Sequence, residues 1–263
     1  MTVNYIKQDF TFSNQWNKYN ATISYQKHTE NAPLVIFLHG FAAKKEYYTW
    51  IGEHLNRQGY AFINFDALIQ FSNILTHSNQ APYQISKNGF ISCIDTLHKS
   101  NNFKSVINLD FINVMGHSLG GLAALLAAQQ DRRINSVIAL SPPIDTHKSL
   151  PTPIKLNAPI QLQIGSYEGL MYNTVTRYYQ KLQSPQKELT IIKGGNHIQY
   201  LDKIDTHLSQ IGKIIWKIIN TTGKLIYLPY IGSFKHDITQ NQHHKISSQN
   251  FTNFLNKHNK PNN

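Results

Sequence analysis

Apolar positions along the chain gather into short continuous runs separated by stretches with helical spacing. Leu34-Val35-Ile36-Phe37-Leu38 is apolar without a break up to His39-Gly40. A strand apolar on both faces belongs in the middle of a sheet that helices cover on both sides. Ala61-Phe62-Ile63-Asn64-Phe65 before Asp66, Phe111-Ile112-Asn113-Val114-Met115, and Ser136-Val137-Ile138-Ala139-Leu140 before Ser141-Pro142-Pro143 read the same way. Segments 159–165 and 188–192 complete the set. Helical patterns over 46–58, 86–99, 119–129 and 171–183 fall between these runs. Strand and helix in alternation predict an α/β domain with a doubly wound, mostly parallel central sheet flanked by helices.

The first thirty residues alternate apolar and polar, as in Ala21, Ile23 and Tyr25, and predict one or two edge strands. Segment 246–258 predicts a closing helix on the domain surface. No repeat or linker interrupts the pattern, so residues 1–257 are expected to form a single domain, with 258–263 a loose polar tail. Only about twenty residues separate Leu140 from Pro159. That leaves room for little or no cap domain and implies a mostly open site.

Composition narrows the class. Of 263 residues, 41% are hydrophobic and 11% aromatic, which is more than a disordered chain carries. No uncharged apolar run reaches the ~18 residues of a spanning helix. The stretch Met1–Trp16 lacks the basic start, apolar block and cleavage site of a secretory signal, so a cytoplasmic location is expected. One cysteine, Cys93, excludes an internal disulfide and a cysteine-based zinc site, and inside a helix it reads as a small buried hydrophobe. A formal charge of +11 raises a rival reading, a non-catalytic protein whose basic surface meets nucleic acid or membrane.

The chemistry is written elsewhere. Gly116-His117-Ser118-Leu119-Gly120 fits G-x-S-x-G between a buried strand and a small-residue helix. At a tight strand-to-helix turn, side chains at 116 and 120 would collide with neighbouring elements; glycines relieve this and leave the Ser118 hydroxyl exposed above the sheet. A serine needs a base to take its proton. Of thirteen histidines, His197 in Gly194-Gly195-Asn196-His197 follows a strand and lies at the same carboxyl edge as Ser118. His117 supports the turn instead. The carboxylate that orients the base is expected to be Glu168, the only acid between Asp145 and Glu188, at the next strand end in the order Ser, acid, His. Asp145 is the alternative acid. For the oxyanion, the Leu119 amide at the helix start is one donor, and Phe41 after His39-Gly40, or less readily Ala42, is the other.

Taken together, the His39-Gly40-Phe41 turn, the Gly-His-Ser-Leu-Gly-Gly elbow, the Gly165-Ser166-Tyr167-Glu168 loop and the Gly-Gly-Asn-His loop resemble the α/β-hydrolase superfamily. The likeness covers residues 20 to 220 or so, and is strongest to the dienelactone-hydrolase-like, chlorophyllase-like and cutinase-like serine esterases. It implies hydrolysis of carboxylic esters through an acyl-enzyme with no cofactor and no metal. A small-molecule or lipid ester is the implied substrate, and no nucleic acid partner is expected. Glu168 departs from the usual Asp, and the region after His197 is longer than a minimal member needs. Lipase, thioesterase and acyltransferase chemistry on the same fold are the alternatives.

Four weaker signals remain. Leu208, Ile211, Ile214, Ile215 and Ile218 against Lys213, Lys217 and Lys224 predict a basic amphipathic helix. It either packs on the sheet or, over 208–224, touches an anionic membrane. His236, Asp237, His243 and His244 sit in a Gln/Asn/Ser-rich stretch and read as a solvated loop. Tyr47, Tyr48 and Trp50 read as core or as pocket lining, and 67–84 as an irregular connection or the edge of the cleft.

Overall fold

Each apolar run becomes a strand in the computed structural model, which describes residues 4–41, 43–67, 82–144, 155–202 and 235–259. The strands are Tyr5–Ser13 (β1), Lys18–Gln26 (β2), Ala32–Leu38 (β3), Ala61–Asp66 (β4), Ile107–His117 (β5), Ile134–Leu140 (β6), Ile160–Gly165 (β7) and Lys187–Ile192 (β8). They pair into one sheet in the order β1-β2-β4-β3-β5-β6-β7-β8. β1 and β2 enter antiparallel, and every pair from β4 across to β8 is parallel. Among the parallel strands, chain order runs outward in both directions from the β3/β5 pair. Such a reversal opens a crevice at the carboxyl ends of the strands.

The helices described are Thr49–Arg57 (α1), Pro82–Lys99 (α2), Leu119–Gln130 (α3), Gly169–Lys181 (α4) and Gln240–His258 (α5). They cover both faces, as the central strands require. On β3, Leu34, Ile36 and Leu38 join the core beneath α2, α3 and α4, while Val35 and Phe37 join the one beneath α1 and α5. The Ala/Leu run of α3 is apolar all round, and Leu119 through Ala128 are buried accordingly. Cys93 on α2 is fully buried, and burial pushes its thiol well above the usual range. Among the described residues no helix is long and apolar enough to cross a membrane.

Three expectations need correction. The helix expected over 46–58 opens as a tight 3-10 turn, Lys45–Tyr48, before α1 begins. The closing helix starts at Gln240, six positions earlier than 246, because Thr239 and Gln242 form a capping box. His243 and His244 therefore lie on this helix and not in a solvated loop. His243 is completely buried, and the His244 ring stacks on Trp50 at 3.9 Å. His258 ends α5, and Asn259 just beyond it accepts from Asn113 Nδ2 at 2.9 Å. The expected amphipathic segment 208–224, most of 67–84, and the remaining tail 260–263 lie outside the described residues.

Candidate active site

Six parallel strands end at the sheet's carboxyl edge, and the expected site residues are distributed among those ends. Ser118 follows β5 at φ 53° and ψ −122°. Such a conformation is rare for a residue with a Cβ and persists only where its surroundings enforce it. Those surroundings are tight. A Cβ on Gly116 would lie 2.3 Å from the Gly120 backbone, and one on Gly120 would lie 2.2 Å from the Leu38 carbonyl oxygen. The glycines thus admit α3 against β5 on one side and β3 on the other. The Ser118 N–H donates to the Leu140 carbonyl at 2.8 Å, which ties the turn to β6.

Leu119 opens α3, where the first N–H groups of a helix have no intrahelical partner and the macrodipole is positive. The loop after β3 closes in from the other side, since a Cβ on Gly40 would stand 3.1 Å from Ser118 Cβ. Phe41 is half-buried in that loop, and Ala42 lies outside the described residues. Tyr48 holds this corner together. Its fully buried hydroxyl accepts the Gly40 N–H at 3.2 Å and pairs with His117 Nδ1 at 2.8 Å. Tyr47 and Tyr48 are thus core, and His117 braces the turn. His39 is buried too, with Nδ1 against the Gly40 carbonyl at 2.7 Å, and burial lowers its pKa.

Glu168 and His197 meet. The carboxylate is completely buried, and its Oε2 lies 2.9 Å from His197 Nδ1. An ionised carboxylate only accepts, so Nδ1 is the donor in this bond. The two loops are laced together. Tyr167 N–H donates to the Gly195 carbonyl at 3.0 Å and Gly194 N–H to Ser166 Oγ at 2.9 Å. Gly165 permits this closeness, because a Cβ there would sit 2.5 Å from the Gly195 oxygen. Glu168 also stands at the N-cap position of the 13-residue α4, without a side-chain capping hydrogen bond, near the positive end of the helix dipole. His197 heads a 3-10 turn closed by reciprocal hydrogen bonds between Asn196 and Gln199. Its ring lies 4.7 Å from that of His117, the neighbour of Ser118.

The alternative acid, Asp145, lies outside the described residues. Two contributors escape a reading by motif. Tyr200 lies tilted against His117 at 5.0 Å, and burial, with the Glu168 charge adding to it, holds its phenol well above the ordinary range. Ser141, at the end of β6, donates its hydroxyl to Glu168 Oε1 at 2.5 Å. Its position at a strand end on the same edge as the other residues was the one sequence signal for it. Among the described residues no group of three or more His, Cys, Asp or Glu is arranged to hold a metal ion.

Comparison with known proteins fits this geometry. A family model described as PET hydrolase-like matches residues 6–217. The chain is 23% identical over 256 residues to platelet-activating factor acetylhydrolase of Cavia porcellus, covering 79% of the chain and 55% of that protein. It therefore spans about half the length of this curated relative. Ferulic acid esterase from Streptomyces cinnamoneus superposes with a TM-score of 0.73 at 16% identity, over 100% of this chain and 94% of the other. Dienelactone hydrolase from Anabaena variabilis gives 0.61 at 18% identity, over 82% and 97%. At such identities these likenesses speak for the α/β-hydrolase fold.

Proposed function

The chain belongs to the PET hydrolase-like family, and from that premise we propose that it is a serine hydrolase of carboxylic esters acting through an acyl-enzyme. Ser118 Oγ attacks the ester carbonyl while His197 Nε2 takes its proton. Glu168 holds the imidazole in the productive tautomer and stabilises the imidazolium. The Leu119 and Phe41 amides receive the oxyanion of the tetrahedral intermediate. His197 then returns the proton to the leaving alcohol, and a water activated by His197 releases the acid and regenerates Ser118.

The observation that carries this reading is the fully buried Glu168 carboxylate, 2.9 Å from His197 Nδ1, on the strand-end edge that also bears the strained Ser118. The relatives are named for an acetyl group, a ferulic acid ester and a lactone, which supports the ester class and leaves the acyl chain open. Fluorophosphonate labelling together with p-nitrophenyl ester turnover tests the proposal. The intact protein should label and turn over. Ser118→Ala should lose both with its fold unchanged, and an unlabelled parent or a fully active Ser118→Ala would refute it. Glu168→Ala should cost orders of magnitude in kcat, whereas Asp145→Ala should not. Across an acyl series, burial of ~0.8 kcal/mol per methylene separates a long-chain pocket from a short one.

A further inference from the structure

We propose that Ser141 is a positioning residue, holding the Glu168 carboxylate in the orientation that offers Oε2 to His197, an inference that rests on the ester-hydrolase reading. Oε1 accepts two hydrogen bonds, from Ser141 Oγ at 2.5 Å and from the Gly165 N–H at 2.7 Å. Oε2 is left for His197. Ser141 and Glu168 are both completely buried, and His197 nearly so. Water is therefore in no position to replace a missing donor, and a carboxylate without its hydrogen bonds is poorly tolerated there.

The length of the acid explains why it needs a second anchor. Glutamate has one more rotatable bond than aspartate, so a single contact with His197 leaves the carboxylate plane free to turn. The two donors on Oε1 come from two different strand ends, β6 and β7, and grip one oxygen from two directions. Each loop alone would let it swing; together they pin it.

Backbone conformation at Ser141 points the same way. Four non-glycine residues have φ in the left-handed region among those described, namely His28, Asn31, Ser118 and Ser141. His28 and Asn31 are exposed turn residues. The other two are the serines at the carboxyl edge of the sheet. At φ 48° a glycine would fit position 141 without strain. A serine kept there retains a side chain whose hydroxyl donates to Glu168 and also faces the Tyr200 phenol. Strain of this kind gathers where side-chain placement matters to chemistry. The plainer role, tying β6 to β7, is already served by the Ser141 N–H, which donates to the Gln163 carbonyl at 2.8 Å.

Ser141→Gly separates these roles, because it keeps the backbone conformation and removes only the hydroxyl. In the full chain with p-nitrophenyl acetate, kcat should fall about tenfold or somewhat more, the scale of one hydrogen bond to a charged group, with KM within about twofold. Its melting temperature should change little, since relief of the backbone strain offsets much of the cost of the lost hydrogen bond. Ser141→Ala should show the same loss in kcat, which guards against a glycine-specific effect. In a Glu168→Ala background the same Ser141→Gly change should cost nothing further, because Ser141 acts through that carboxylate. Unchanged kcat in Ser141→Gly overturns the proposal. So does an undiminished loss in the Glu168→Ala background, or a kcat loss accompanied by an equal loss of stability. If the parent neither labels with fluorophosphonate nor turns over esters, the ester-hydrolase reading has failed, and this inference falls with it for that separate reason.

Discussion

Acidification should loosen α5 through His243, and the size of the effect follows from its burial. The ring is fully enclosed, edge-on to Tyr200 at 4.4 Å and backed by Gly195, where an added Cβ would touch its Cδ2 at 2.8 Å. Neither ring nitrogen has a hydrogen-bond partner among the described residues. Burial, and secondarily the neighbouring His244, lower its pKa from 6.5 to about 3. The unfolded chain therefore takes up the proton first. The stabilisation is fully present above about pH 6.5 and drains away as pH falls towards 3. At ~1.36 kcal/mol per pH unit for one proton, the loss between pH 6 and pH 4 is on the order of 2–3 kcal/mol. That is a large share of the ~5–15 kcal/mol of a typical domain. Urea unfolding at pH 6, 5 and 4 should be compared between the parent and His243→Phe, which keeps an aromatic edge against Tyr200 but cannot titrate. The parent should lose on the order of 2–3 kcal/mol more than the variant over that range. His39, His54 and His258, whose pKa values burial also lowers, are common to both proteins and cancel. Parallel stability curves would refute the reasoning, since the proton would then enter the folded protein freely.

Two further outcomes follow from packing. Gly120→Ala places a methyl 2.2 Å from a backbone carbonyl that cannot rotate away, so thermal melts should show a loss of about 1–3 kcal/mol together with collapsed esterase activity. Parental stability in that variant would contradict the close approach of α3 to β3. Cys93 should stay unreactive towards a disulfide reagent at pH 8 until denaturant is added, because its thiol is both enclosed and held protonated. Rapid labelling of native protein would mean that α2 opens readily.

The buried strands were legible because a strand covered on both faces has no polar alternation to confuse it; Leu34–Leu38 and Ser136–Leu140 lie wholly inside observed strands. The turn at Ser118 was equally plain, since steric demands at two glycines leave a mark that does not depend on partners. Glu168 was readable by scarcity, in a stretch without competing acids. What stayed hidden depends on contacts across long separations. Nothing near Tyr48 says that its hydroxyl meets His117, 69 residues away. Ser141 read as a strand terminator because its partner Glu168 sits on another loop. The start of α5 was missed for a different reason. Its buried stripe includes His243, Ser247, Phe251, Thr252, Phe254 and Leu255, with helical spacing but half polar, so a search for apolar periodicity sees only its second half.

That half-polar stripe lies on a sheet that carries amides where greasy side chains would be usual. Ser247 Oγ donates to Gln163 Oε1 at 2.7 Å, Gln161 Nε2 reaches the Asn250 carbonyl at 3.1 Å, and Asn113 engages Asn259 just beyond the helix. A helix resting on apolar side chains alone can slip along its axis by a turn, ~5.4 Å, and find a new fit of similar quality. Here the same slip would strand several enclosed amides without partners, at about 1–3 kcal/mol each. The segment is keyed to one longitudinal setting, like a bolt with notches cut for its own keeper. Its first turns back onto the loop of Gly195 and onto Tyr200, so the setting chosen far down the helix also fixes what stands behind His197.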